Sequence, residues 1–281
     1  MTYRGNAGVS GGVWDSGLSG GEFATVGGVG FEPVGQVLGT AVFSIGYTGA
    51  WGCPGEWSVG DDNTVVPSSR WAPSLAPLVR SMYAARRAAL ARAVAECGAL
   101  GGDGIVGVEL HVGEFLADGL EFTVRGTAVR ARSRIRPRTP FTSHLSGQDF
   151  AALIGSGWVP VGLAFGIALA IRHDDWRTSF RVPSLVGRNQ EVDGYTQLVS
   201  HVRREARRQL VVDAARHGGD GVVVDDVELR VEEKECPAYG STRDVTAQAV
   251  LVGTAIARFG RTGRPAGPRP PLTIMRLERE R

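Results

Sequence analysis

One corner constrains this chain more than any other feature, because it occurs twice. In Leu100-Gly101-Gly102-Asp103-Gly104-Ile105 a long helical pattern stops at glycine and an apolar run begins. Gly218-Gly219-Asp220-Gly221-Val222 repeats that stop and start after a second helical pattern. Glycine just past a helix takes the left-handed conformation that ends it, so Gly98 or Gly101 is expected to terminate the first helix and Gly218 the second. Asp103 and Asp220 are expected to make local turn hydrogen bonds, as short acidic residues in turns commonly do. Gly101, Asp103, Gly104, Gly218, Asp220 and Gly221 are therefore read as structural turn residues and not as a chemical site.

The two corners belong to a longer repeat. Leu18-Ser19-Gly20-Gly21-Glu22-Phe23-Ala24 matches Leu145-Ser146-Gly147-Gln148-Asp149-Phe150-Ala151 at an offset of 127. Gly28, Gly30, Pro33, Gly35 and Gly39 face Gly155, Gly157, Pro160, Gly162 and Gly166, and Gly126-Thr127-Ala128 faces Gly253-Thr254-Ala255, all at that same offset. Self-similarity of this kind is the signature of an internal duplication. In each copy an apolar run, Val34 to Tyr47 or Val161 to Ile171, reads as a strand. Its internal glycines predict a bulge or close packing by another backbone, and Pro33 and Pro160 should sit at a strand start or bulge because proline cannot donate to a ladder.

A long irregular connection follows, residues 48–73 or 173–192, and then a helix. The first helix, Ser74 to Leu100, carries Met82, Ala85, Ala89, Ala93 and Cys97 near every fourth position. The second carries Leu198, Val202, Ala206, Leu210 and Ala214 at that spacing. Each row is the buried stripe of an amphipathic helix, and Asp193 or Thr196 is the expected cap of the second. Beyond the corner, Ile105 to Val112 and Leu120 to Val129 read as a hairpin, matched by Val222 to Val231 and Val245 to Ile256. The fold class is α+β: two tandem β-α-β-β two-layer units, each a helix on a small, mainly antiparallel sheet. The expected organisation is a first unit at 18–130, an Arg/Pro linker at 131–143, a second unit at 144–259, and a disordered Arg/Pro tail at 260–281. Small sheets leave their edges open, which favours self-association.

With 281 residues and 43% hydrophobic content the chain is globular. Its formal charge of +2 gives no drive toward nucleic acid or an acidic membrane. The arginine-rich tail lacks interleaved aromatics, so nucleic-acid binding is not expected. No leader pattern opens the sequence, and the longest apolar run, Val161 to Ile171, is short of the roughly 20 residues that span a bilayer. A cytoplasmic protein with no membrane partner is the expectation. The three cysteines, Cys53, Cys97 and Cys236, have no paired spacing that would make a disulfide framework or metal knuckle. No GxSxG motif, histidine pairing or complete dinucleotide fingerprint is present, so no catalytic residue is assigned and the chain is expected not to be an enzyme.

The alanine- and arginine-rich helix running into Gly-Asp-Gly and an apolar strand, then a hairpin ending in Gly126-Thr127-Ala128-Val129, resembles the YbjQ-like family, named as putative heavy-metal-binding domains. The second copy carries the same elements in Ala214 to Val224 and Gly253-Thr254-Ala255-Ile256. The resemblance implies a dodecin-like β-α-β-β unit, assembly into rings, and a divalent transition metal. No residues form a ligand set by spacing; the nearest candidates are Glu109 with His111, and His173 with Asp174. Cys97 lies on the buried helix stripe and reads as a small core hydrophobe. The leading expectation is a non-enzymatic, oligomer-forming protein. The alternative is a small-ligand-binding protein or enzyme that uses the Trp-rich loops 48–73 and 173–192, with Trp51, Trp57, His173 and Trp176 lining a pocket.

Overall fold

A computed structural model describes residues 17–44, 65–67, 75–116, 119–134, 136–173, 191–235 and 243–259. In chain order the elements are α1 (Gly20–Gly28), β1 (Phe31–Ser44), β2 (Val65–Pro67), α2 (Leu75–Ala99), β3 (Gly104–Phe115), β4 (Gly119–Ala131), β5 (Phe141–Thr142), α3 (Gly147–Gly155), β6 (Trp158–His173), α4 (Asp193–Arg216), β7 (Gly221–Glu235) and β8 (Arg243–Arg258). The architecture is α+β, with two sheets of order β1-β4-β3-β5 and β2-β6-β8-β7. All pairings are antiparallel except the short β3–β5 ladder. Helix α2 packs on the first sheet and α4 on the second.

The two corners form as the glycines require. Gly101 and Gly218 adopt φ of 71° and 78°, a region that only glycine enters without strain. Gly102 N donates to Cys97 O and Gly101 N to Gly98 O; Gly219 N donates to Ala214 O and Gly218 N to Ala215 O. This is the Schellman pattern at both helix ends, with Gly98 inside the helix and Gly101 as the stop. The aspartates also act beyond the turn. Their carboxylates reach the far end of the unit's last strand. Asp103 accepts from Ala131 N at 2.8 Å and pairs with Arg136, while Asp220 accepts from Arg258 N at 3.2 Å. Each corner thereby pins the start of one strand to the end of its neighbour, a non-local bond that turn propensity could not indicate.

The strands run longer than the apolar patterns because ladder pairing continues into polar residues. Pro33 and Pro160 sit at register shifts, between Pro33 and Gly35 and between Pro160 and Gly162, where a residue without an N–H is tolerated. The expected helix stripes are buried at every named position. Gly39 and Gly166 are the points of closest helix approach. A Cβ on Gly166 would lie 2.8 Å from Leu210 Cβ and inside contact distance of Ala206 O, and one on Gly39 would lie 3.1 Å from Ala93 Cβ.

Four features depart from the expected unit. Helix α1 precedes β1 and α3 precedes β6. Ser19 and Glu22 form a reciprocal capping box on α1, and Ser146 with Asp149 caps α3. Helix α4 starts at Val192 without a side-chain cap, so neither Asp193 nor Thr196 fills that role. Strand β2, from the first long connection, joins the second sheet against β6. The stretch 131–143, expected as a solvated linker, ends in Phe141 and Thr142, which pair with Gly104 and Ile105 of β3, and in fully buried Ser143. Residues 48–64, 68–73 and 174–190, with Trp51, Trp57, Trp176, Cys53 and Asp174, lie outside the described residues, as do Cys236 and the tail from residue 260.

Candidate functional site

The two units share one core. Strand β6 is buried on both faces because successive side chains point to opposite sides of a sheet. Ala164, Ala168 and Ala170 meet α4. Leu163 and Phe165 face the other way into a cluster with Val37, Ala85, Ala89, Phe122 and Val124 of the first unit. Leu169 and Ile171 meet Leu75, and Ile167 meets Met82. Each such fully buried side chain contributes about 1.5–3 kcal/mol, so this face holds the units together.

A polar latch lies over that core. Asp213, nearly fully buried on α4, accepts from Phe165 N at 3.0 Å and from Arg87 Nη2 of α2 at 2.7 Å. The Tyr83 hydroxyl of α2 accepts from Ile167 N at 2.9 Å and donates to Phe165 O at 3.4 Å. Burial pushes the Tyr83 hydroxyl up from its ordinary value, which keeps it protonated as a donor. A lone carboxylate within the stripe Leu210–Ala214 was the signal for this latch, since a buried carboxylate requires a partner.

Two concave features flank the shared core. A cleft of ≈ 240 Å³ lies between α2 and strands of both sheets, lined by Met82, Arg86, Phe122, Glu228, Arg230 and Gln248 among others. Arg86 is 3% exposed, donates to Met82 O at 3.1 Å, and lies 5.2 Å above the Phe122 ring centre. Burial lowers its guanidinium to about 10, opposed by the charge of Glu228. It remains cationic at neutral pH and stabilises the wall of the cleft through its stem and the ring face.

The second feature is a groove of ≈ 620 Å³ between α3 and the start of β7, lined by His144, Leu145, Asp149, Leu153, Val224 and Asp225 among others. His144 Nδ1 lies 2.8 Å from Thr254 Oγ1, which also accepts from His144 N at 3.1 Å. Burial pushes the imidazole below its ordinary value, against the raising effect of Asp225 and Asp149. A histidine with a lowered folded pKa favours the neutral form. Its contribution to stability is complete above about pH 6.5 and declines as pH falls below that value, where the unfolded chain takes up the proton first. His201 is shifted in the same direction. The expected result is therefore a fall in the urea midpoint between pH 7 and pH 5.5 that is smaller in His144→Gln than in wild type. Equal falls in the two proteins would remove His144 as a source.

The residues expected as metal ligands are placed as follows. Glu109 and His111 sit two apart on β3, opposite Arg125 and Thr123, and so share the outer face of the first sheet. Glu109 is engaged by Arg125, with Nε at 2.7 Å and Nη2 at 2.5 Å. His173 ends β6 in the other sheet, paired with Asp244, and Asp174 lies outside the described residues. Cys97, read from the sequence as a core hydrophobe, is fully buried, with Sγ 3.4 Å from Gly104 O, and burial pushes its thiol up to about 11. Among the described residues no group of three or more His, Cys, Asp or Glu could hold a metal ion. The described donors do not make up a site for the metal that the family name implies. Also among the described residues, no helix is long and apolar enough to cross a membrane.

Comparison with known proteins gives two matches. Residues 74–132, covering α2, β3 and β4, match the YbjQ family, described as putative heavy-metal-binding. The chain is also 36% identical over 253 residues to the encapsulin nanocompartment protein Rv1762c of Mycobacterium tuberculosis, an alignment covering 87% of this chain and 86% of that protein.

Proposed function

This chain belongs to the same family as the mycobacterial encapsulin nanocompartment protein, and we propose that it is a non-enzymatic, self-associating component of a nanocompartment assembly. In this reading its two units are tandem copies of a YbjQ-like fold, and it works in the cytoplasm by packing against further copies of itself. The observation that carries the proposal is the outer face of the first sheet, where Leu38 and Val42 of edge strand β1 are 55% and 49% exposed. Apolar side chains grouped on an open sheet face favour burial against a partner.

Light scattering coupled to gel filtration tests it, with electron microscopy of the eluted peak. At tens of micromolar the expected mass is a multiple of the 29.8 kDa chain, and the images show discrete assemblies. A single 29.8 kDa species across the concentration range would end the proposal.

A further inference from the structure

The contact between the two units inside one chain has two complementary halves, and the counterpart of each half at the opposite end of the chain is more exposed among the described residues. The first unit supplies α2, the edge of β3 and α1. The second supplies one face of β6 and the segment 141–150. At the offset of 127, Phe165 and Leu169 of that β6 face correspond to Leu38 and Val42 of β1. Phe165 and Leu169 are 1% and 3% exposed, against 55% and 49% for their counterparts. The face that α2 covers on the second unit is thus the face left open on the first.

The other half shows the same relation. Within the chain, segment 141–145 lies along the β3 edge. Ser143 N donates to Ile105 O, Val108 N to Ser143 O and Gly107 N to Leu145 O. Leu145 and Phe150 are buried there with Val26 and Val106, and Gly147 N donates to Glu22 Oε1 of α1 at 3.1 Å. The corresponding place on the second unit is the space between α3 and Val223–Asp225 of β7, which is the open groove of ≈ 620 Å³. Among the described residues β7 ends its sheet, whereas β3 is extended by β5. The counterparts of Leu145 and Phe150 are Leu18, which is half-buried, and Phe23, which is 41% exposed. The counterpart of the bond from Gly147 to Glu22 would join Gly20 N to the carboxylate of Asp149.

Charge agrees with this geometry. From the corner glycines, α2 and α4 correspond at an offset of 117, so Arg87 and Asp213 match Arg204 and Glu96. Glu96 accepts from Leu38 N at 2.7 Å just as Asp213 accepts from Phe165 N at 3.0 Å. Arg204 and Glu96 are both exposed, on surfaces that the internal contact would bring together between chains.

We propose that the second unit of one chain docks on the first unit of a second copy by repeating the internal contact: α4 covers Leu38 and Val42, the groove beside β7 receives the segment at α1, and Arg204 pairs with Glu96. This rests on the self-association reading and assigns its surface. The contact is heterologous, so its repetition yields a ring or an open filament and not an isolated two-fold dimer.

The test uses two full-length variants. Leu38→Asp/Val42→Asp disables the first unit's face, and Val199→Asp/Arg204→Glu disables the second unit's, Val199 being the counterpart at the offset of 117 of Met82, which packs on Ile167. All four positions lie at least partly exposed, and circular dichroism checks the fold. Each variant alone is expected to be monomeric by light scattering. An equimolar mixture is expected to form a dimer and nothing larger, because one intact face of each kind remains. A mixture that stays monomeric, or either variant that assembles as wild type does, overturns the proposal while wild-type assembly leaves the self-association reading standing. Monomeric wild type overturns both. Should a double variant not fold, Arg204→Glu alone carries the test, with an expected weakening of assembly by about tenfold at low salt. An unchanged assembly constant overturns the assigned contact.

Discussion

Gly166→Ala is expected to lower the unfolding free energy by about 3 kcal/mol. Two effects oppose each other. Replacing glycine inside a strand removes unfolded-state freedom and favours the fold by about 0.5–1 kcal/mol. Against this, the added methyl falls inside contact distance of Ala206 O and 2.8 Å from Leu210 Cβ, both on α4. The obstacle is largely helix backbone, which cannot rotate away, so α4 must lift from β6 and weaken the packing along its stripe. The clash therefore wins. Gly155→Ala is the control, because a Cβ there meets nothing within 4 Å, and it is expected to be neutral or slightly stabilising. Urea denaturation of both variants checks the pair. A loss under about 1 kcal/mol for Gly166→Ala would mean that the helix–strand spacing relaxes freely.

Asp213→Ala is expected to cost about 2–3 kcal/mol. The carboxylate is 2% exposed and holds the Phe165 amide and the Arg87 guanidinium together. Truncation leaves a buried N–H without its acceptor, and that desolvation is the larger part of the loss. The ion pair is the smaller part because the Arg87 side chain is 50% exposed and screened by water. Asp213→Asn keeps an oxygen for Phe165 N and is expected to lose less than half as much. A double-mutant cycle with Arg87→Ala separates the two contributions, with a coupling of no more than about 1 kcal/mol. A coupling that accounts for the whole loss would show that the ion pair, and not the amide bond, closes the latch.

Much of the candidate surface was readable in the residues. The exposed Leu38 and Val42 lie in a run whose partner positions, Phe165 and Leu169, are visibly more apolar, and the offset of 127 aligns them without a gap. The small helices α1 and α3 also had a local signal that was missed, since Ser19 to Glu22 has the spacing of a capping box. The metal-ligand candidates rest on residue type, and type does not report that Arg125 already holds Glu109 or that His173 lies in the other sheet from Glu109 and His111.

Local order was determined by the sequence alone: the stripe of every fourth residue set which helix faces are buried, glycine set where both helices stop, and proline set where the first strand of each unit shifts register. These are properties of a few neighbouring residues, and short-range sterics and hydrogen bonding fix them. Only the tertiary structure decided where Asp103 and Asp220 send their carboxylates, that Phe141–Ser143 joins the first sheet, and that α2 is covered by both units. Those outcomes join residues far apart in the chain. The free energy that selects them comes from burying apolar side chains such as Phe165, Leu169 and Phe150 while pairing buried polar groups such as Asp213, and no single stretch of sequence carries that sum.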